Sequence, residues 1–215
     1  MLKKAINKYH IQLAFFSFYL LVQTLLLRFV YQWYAREAYK ITAWSVFPIL
    51  IAIILVFIKK NKWNKADLGL RVDNIKKALP LYSFITLLLV FGVILLKQVL
   101  SRPIRPDLFT SWHFRGLFIL SSLAQAFIFK SYLVKLQSLV MSSNLQIILL
   151  NGFLFGLMHT MVIAEPIWFS FLTAFVMGAV FAYVYLKYPN LILATISHAI
   201  INFLISLSCF FSFKC

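Results

Sequence analysis

Acidic residues are scarce in this chain. Five Asp and Glu stand against 21 Lys and Arg among 215 residues, for a formal net charge of +16. Charged residues of all kinds make up 12% and hydrophobic residues 63%, where an ordinary soluble domain holds about 25% and about 45–50%. A soluble globule of this size is excluded, because it could not hide so much apolar surface. Cysteine is almost missing as well. Cys209 and Cys215 follow no metal or redox spacing, and inert thiols are expected. Cys215 is the last residue given, whereas a prenylation box needs three residues beyond its Cys. No internal repeat or low-complexity block is evident, so residues 1–215 read as a single integral membrane domain.

What the chain does have is long apolar runs. Several approach or exceed about 18 residues, the length that crosses a bilayer as a helix. The runs predict an all-α polytopic bundle of about seven transmembrane helices, near 11–31, 41–58, 79–96, 115–137, 146–163, 167–187 and 191–212. The first run, from Ile11 to Leu27, lacks a small-residue cleavage site and is expected to be retained. The basic residues lie between these runs, as anionic lipid and the positive-inside tendency dictate. They therefore imply a lipid bilayer as partner and no nucleic acid. With a cytoplasmic N-terminus, 13 basic residues fall inside and 8 outside, and this orientation is expected. The polar loop KKNKWNKADLGLRVDNIKK, residues 59–77, supplies most of the bias, and a short interfacial helix is expected to begin at Leu70-Arg71-Val72-Asp73.

Strongly polar groups inside hydrocarbon cost several kcal/mol unless partnered, so those that persist mark candidate sites. Here they are Gln125 and Lys130 in the fourth run, Asn151 and His159 in the fifth, and His198 and Asn202 in the seventh. Residues four apart share a helix face, so Phe155 with His159, and His198 with Asn202, each form one projecting pair. Each residue taken singly serves equally well as interhelical glue. Two histidines and an amide on separate helices together favour a polar pocket. Desolvation there would hold an imidazole neutral, able to accept a proton, hold a water or bind a metal.

These residues resemble the CPBP family of intramembrane peptidases, which includes CAAX prenyl endopeptidases and bacteriocin-processing or immunity proteins. The family has a Glu-Glu pair with Arg four after the second Glu, a Phe with His four later, and a His with Asn or Asp four later. The second motif stands as Phe155-Gly156-Leu157-Met158-His159 and the third as His198-Ala199-Ile200-Ile201-Asn202. The segment Asp67-Leu68-Gly69-Leu70 also resembles one found ahead of the family core, and the likeness spans about residues 66–205. The first motif is degenerate: its Glu pair falls on Gln125 and Ala126, and its Arg on Lys130. In the family the Glu pair activates the attacking water, while the histidines and Asn hold the water or stabilise the oxyanion.

By resemblance, His159, His198 and Asn202 are then the remaining catalytic positions, with Phe155 supporting them. Gln125 cannot take a proton, Ala126 offers nothing polar, and Lys130 lacks the two-pronged grip of a guanidinium. A Lys is tolerated there because its long stem can snorkel toward the interface. None of the five acids, Glu37, Asp67, Asp73, Asp107 and Glu165, lies in a predicted span. Glu165 is nearest to a motif and is expected to be a solvated turn acid. Two histidines fall short of the three protein ligands of a catalytic zinc, so neither a metal nor another cofactor is expected.

The resemblance therefore implies a peptidase fold in a bacterial plasma membrane with reduced or no proteolysis, acting in bacteriocin-type immunity or by binding a peptide or membrane-protein partner. One alternative is an active endopeptidase whose water is activated by a histidine. Another is a transporter or channel, disfavoured because the spans hold no acids and no inverted repeat.

Overall fold

The computed structural model describes residues 2–33, 36–99, 120–160 and 167–211. Seven helices account for nearly all of them: α1 Leu2–Trp33, α2 Arg36–Asn61, α3 Ile75–Val99, α4 over residues 120–138, α5 Asn144–His159, α6 Ile167–Lys187 and α7 Leu191–Phe211. The described residues thus form an all-helical bundle, as the apolar runs imply. Among the described residues, three of the helices hold stretches long and apolar enough to cross a membrane: Lys8–Leu26, Ile75–Leu96 and Ile167–Lys187. Helices α1 to α3 begin before the runs expected from hydropathy, because Lys- and Arg-bearing flanks such as Ile75-Lys76-Lys77 are themselves helical.

The bundle is patterned inside out. On α1, Phe16 and Leu20 are buried while Ile11, Phe18 and Leu25, seven residues apart, are more than half exposed. On α3, Tyr82 and Thr86 face inward while Phe84, Leu87 and Phe91 face outward. Leu and Phe stripes of this kind, on both faces of a helix, are stable only when the outer face meets lipid.

Helices α5 and α6 pack closest. A Cβ added at Gly152 would sit 2.8 Å from the Phe175 carbonyl oxygen, and one at Gly178 would sit 2.7 Å from the Phe155 Cβ. Small residues at these positions let the two backbones approach, the usual means of joining helices where no hydrophobic drive operates between them. This contact leaves Phe155 fully buried against α6.

The polar loop between α2 and α3 does not form the expected interfacial helix. Residues 62–74 run as turns, and helix begins only at Ile75. The reason is that the loop's backbone is pinned elsewhere. The Leu68 carbonyl accepts from the Ser131 and Tyr185 hydroxyls, at 2.8 Å each, and Leu191 N–H donates to the Gly69 carbonyl at 2.8 Å. Asn190 donates to the Arg71 carbonyl, and Asn74 donates to the Pro189 carbonyl. Gly69 is required twice over: its φ is +67°, and a Cβ would lie 2.2 Å from the Tyr185 hydroxyl oxygen. The loop thereby staples α4, α6 and α7 together at one end of the bundle.

Candidate functional site

Helix α4 changes hydrogen-bond pattern at the degenerate motif. Residues 120–125 are α-helical, Ala126–Tyr132 form a π-helical turn, and Leu133–Ser138 resume the α-helix. Leu133 N–H donates to the Ile128 carbonyl, five residues back, and not to Phe129. Such turns insert one residue into a helix and are frequent at functional sites. The Phe129 carbonyl, deprived of that α-helical donor, accepts from Asn151 Nδ2 of α5 at 2.6 Å.

Lys130 sits inside this turn and is fully buried. Snorkelling to the interface, expected from its long stem, does not occur. The side chain points inward because three partners meet it there. Its Nζ lies 3.0 Å from His198 Nδ1, 4.1 Å from the centre of the Phe181 ring and 5.2 Å from that of Phe155. Cation–π contact and a donated hydrogen bond replace the carboxylate that such a group ordinarily pairs with. Lys130 consequently leaves the set of flanking cations on which the orientation count was based.

The Phe155 ring is the hub. Its centre lies 4.4 Å from that of His159, 5.8 Å from His198 and 5.2 Å from Phe129, all tilted or edge-on. His159, the last residue of α5, is partly exposed and has Nδ1 2.8 Å from the Phe155 carbonyl oxygen. A carbonyl can only accept, so Nδ1 carries the proton and the Nε2 of a neutral ring keeps a free lone pair. His198 is buried, and its Nδ1 shares a hydrogen bond with Lys130 Nζ; where Lys130 is the donor, the His198 proton sits on Nε2. With Lys130 as that donor the two imidazoles take opposite tautomers, one presenting an acceptor and the other a donor.

Lys130, Phe155, His159 and His198, from three different motifs, therefore come together around one ring. Gln125 and Asn202 are each held by a serine of α4. Gln125 Nε2 donates to Ser121 Oγ at 2.8 Å, and Asn202 Nδ2 donates to Ser122 Oγ at 3.0 Å. The Oε1 of Gln125 is buried without a hydrogen-bond partner. Ala126 is fully buried. Asp107 and Glu165 lie outside the described residues. Of the two acids of the loop, Asp67 is bound to Lys135 at 3.0 Å and Asp73 to Arg71. Among the described residues no three metal-ligating side chains gather, and the two imidazoles of the site both have their Nδ1 already engaged.

Ser121, Ser122 and Phe181 are site neighbours that the sequence reading missed. The serines lie one turn before Gln125, where a small hydroxyl in an apolar helix is a usable signal. Phe181 carries none, being one of 23 phenylalanines.

Residues 106–204 match the family model described as type II CAAX prenyl endopeptidase Rce1-like. No curated protein and no solved structure matches the chain. The matched residues contain α4 to the first part of α7, and hence Lys130, Phe155, His159 and His198. Residues 106–204, just under half of the chain, are thus similar to the Rce1-like type II CAAX prenyl endopeptidases, a likeness that supports an intramembrane peptidase fold.

Proposed function

We propose that this protein uses the peptidase fold to bind a peptide or a membrane-protein partner, with little or no glutamate-dependent cleavage, and that its role is of the bacteriocin-immunity kind. The observation that carries this reading is the Lys130–His198 hydrogen bond. A cation that in a glutamate-dependent peptidase would serve a carboxylate is engaged here by an imidazole, and Gln125 and Ala126 supply no proton acceptor. What remains is suited to holding an amide. The free Nε2 lone pair of His159 accepts from a peptide N–H, and the Nε2–H of His198 donates to a peptide carbonyl. A general base contributes about 10²–10⁴-fold in rate, and its loss leaves the recognition groups in place.

The test is cleavage of a helical or prenylated peptide by the protein in proteoliposomes, beside protection of a bacteriocin-sensitive host expressing it. Protection that disappears with His159→Ala or His198→Ala, without cleavage by the parent protein, is expected. Robust cleavage by the parent would overturn the reading. It would favour the alternative in which His159 Nε2 itself takes the proton of water, a reading supported by that nitrogen's free lone pair. In that case joint introduction of Gln125→Glu and Ala126→Glu raises the cleavage rate sharply.

A further inference from the structure

The geometry points to Asn151 as a positioning residue that holds the π-turn of α4, and through it the facing of Ser122 and Lys130 toward α7. This inference concerns the assembly of the site and holds whether the site binds or cuts.

Ser122 and Lys130 each meet α7. Ser122 accepts from Asn202, and Lys130 is hydrogen-bonded to His198. On α7 the two partners are four residues apart and share a face. On α4 the two residues are eight apart. In an uninterrupted α-helix, residues eight apart point about 80° away from each other, whereas residues seven apart differ by about 20°. A plain helix would therefore set Ser122 about 80° to one side whenever Lys130 faced α7 directly. The π-turn at Ala126–Tyr132 begins between them and includes Lys130, so the helix is already widened over the residues that separate the two. The remaining axial offset is taken up by the Lys130 side chain, since helical side chains lean toward the N-terminus.

A π-turn needs a reason to persist, because the α-helical pattern competes with it. Here Leu133 N–H is bonded to Ile128, and Asn151 Nδ2 occupies the Phe129 carbonyl to which that N–H would otherwise return. Asn151 is fully buried, and its amide also lies 3.4 Å from Gln137 Oε1. With Leu at position 151 the carbonyl is left without that donor, and the α-helical bond recovers it at the expense of the turn.

The test uses a full-length background carrying Cys209→Ser and Cys215→Ser. Ser122→Cys with Asn202→Cys reports the facing of α4 toward α7 by its yield with a short thiol-specific crosslinker. Gln12→Cys with Asn61→Cys, whose parents are 3.0 Å apart across α1 and α2, reports the rest of the bundle. Asn151→Leu is expected to lower the first yield about tenfold and leave the second unchanged. Deleting Phe127 from the Asn151→Leu protein is expected to restore the first yield, because Ser122 and Lys130 then stand seven apart on an ordinary α-helix. An undiminished 122–202 yield in Asn151→Leu would overturn the proposal. So would a loss that the deletion does not rescue, whether or not the 12–61 pair still crosslinks, since Asn151 would then be only a packing residue.

Discussion

At the scale of single residues, Lys130 sets the terms. A buried ammonium with no carboxylate beside it is a poor contributor to stability, since taking a charge out of water costs several kcal/mol. Its retention therefore needs the hydrogen bond to His198 and the faces of Phe181 and Phe155. Two consequences are opposite in sign. Lys130→Met keeps the length and packing of the side chain and removes the burial cost, so its unfolding midpoint in detergent should equal or exceed that of the parent. His198→Ala leaves a cavity and strands the ammonium, and should cost about 2–4 kcal/mol. Combining His198→Ala with Lys130→Met should recover part of that loss. A fully additive double mutant would mean that the two side chains do not interact energetically.

At the scale of elements, the helices are legible because a bilayer demands runs of about 20 apolar residues, and such runs stand out in any hydropathy reading. The motif spacings Phe155 to His159 and His198 to Asn202 are legible for a similar reason, being one helical turn each. What is not legible is hydrogen-bond pattern within a helix. The segment Ala126–Tyr132 has nothing in its composition to announce a π-turn, and its cause, Asn151, lies on another helix. The inward path of Lys130 is hidden likewise, because its partners are supplied by α6 and α7.

The polar loop fails as a predicted helix because its carbonyls are claimed by Ser131, Tyr185, Leu191 and Asn190, which only the tertiary structure brings near. That staple carries a pH dependence. The Asn64 backbone N–H and the Lys135 ammonium both bind the Asp67 carboxylate and hold its pKa below the ordinary value of 3.8. A lowered folded-state pKa means that the carboxylate's contribution is complete at neutral pH and is lost as pH falls through the folded value. Melting curves of the parent and of Asp67→Asn should therefore differ most near neutrality and converge in acid. A gap that widened on acidification would show the sign to be wrong.

At the scale of the whole molecule, the decisive feature is that the outside resembles an interior. Phe84, Leu87 and Phe91 of α3 are each more than 60% exposed, on a helix whose opposite face is packed against the bundle. In water such a surface would drive aggregation. In lipid it is the solvated surface, and it also removes any hydrophobic drive between the helices, which leaves close glycine contacts and buried hydrogen bonds to hold the bundle. The Asn151, Asn202, Ser131 and Asn190 bonds are for this reason structural as well as local. The environment of the outer face can be tested by its tolerance of charge. A substitution on the exposed surface of a soluble protein usually changes stability by no more than about 0.5 kcal/mol, but an Asp near the middle of a membrane span costs about 2.5–3.5 kcal/mol. Leu87→Asp, at a position 66% exposed, should accordingly reduce membrane insertion and stability by the larger amount, read as the inserted fraction in a glycosylation-tag assay and as the unfolding midpoint in bicelles. Leu87→Phe at the same site should be neutral. If Leu87→Asp were tolerated as readily as Leu87→Phe, the outer face of α3 would be in contact with water or with another polar surface, and α3 could not be one of the helices that spans the bilayer.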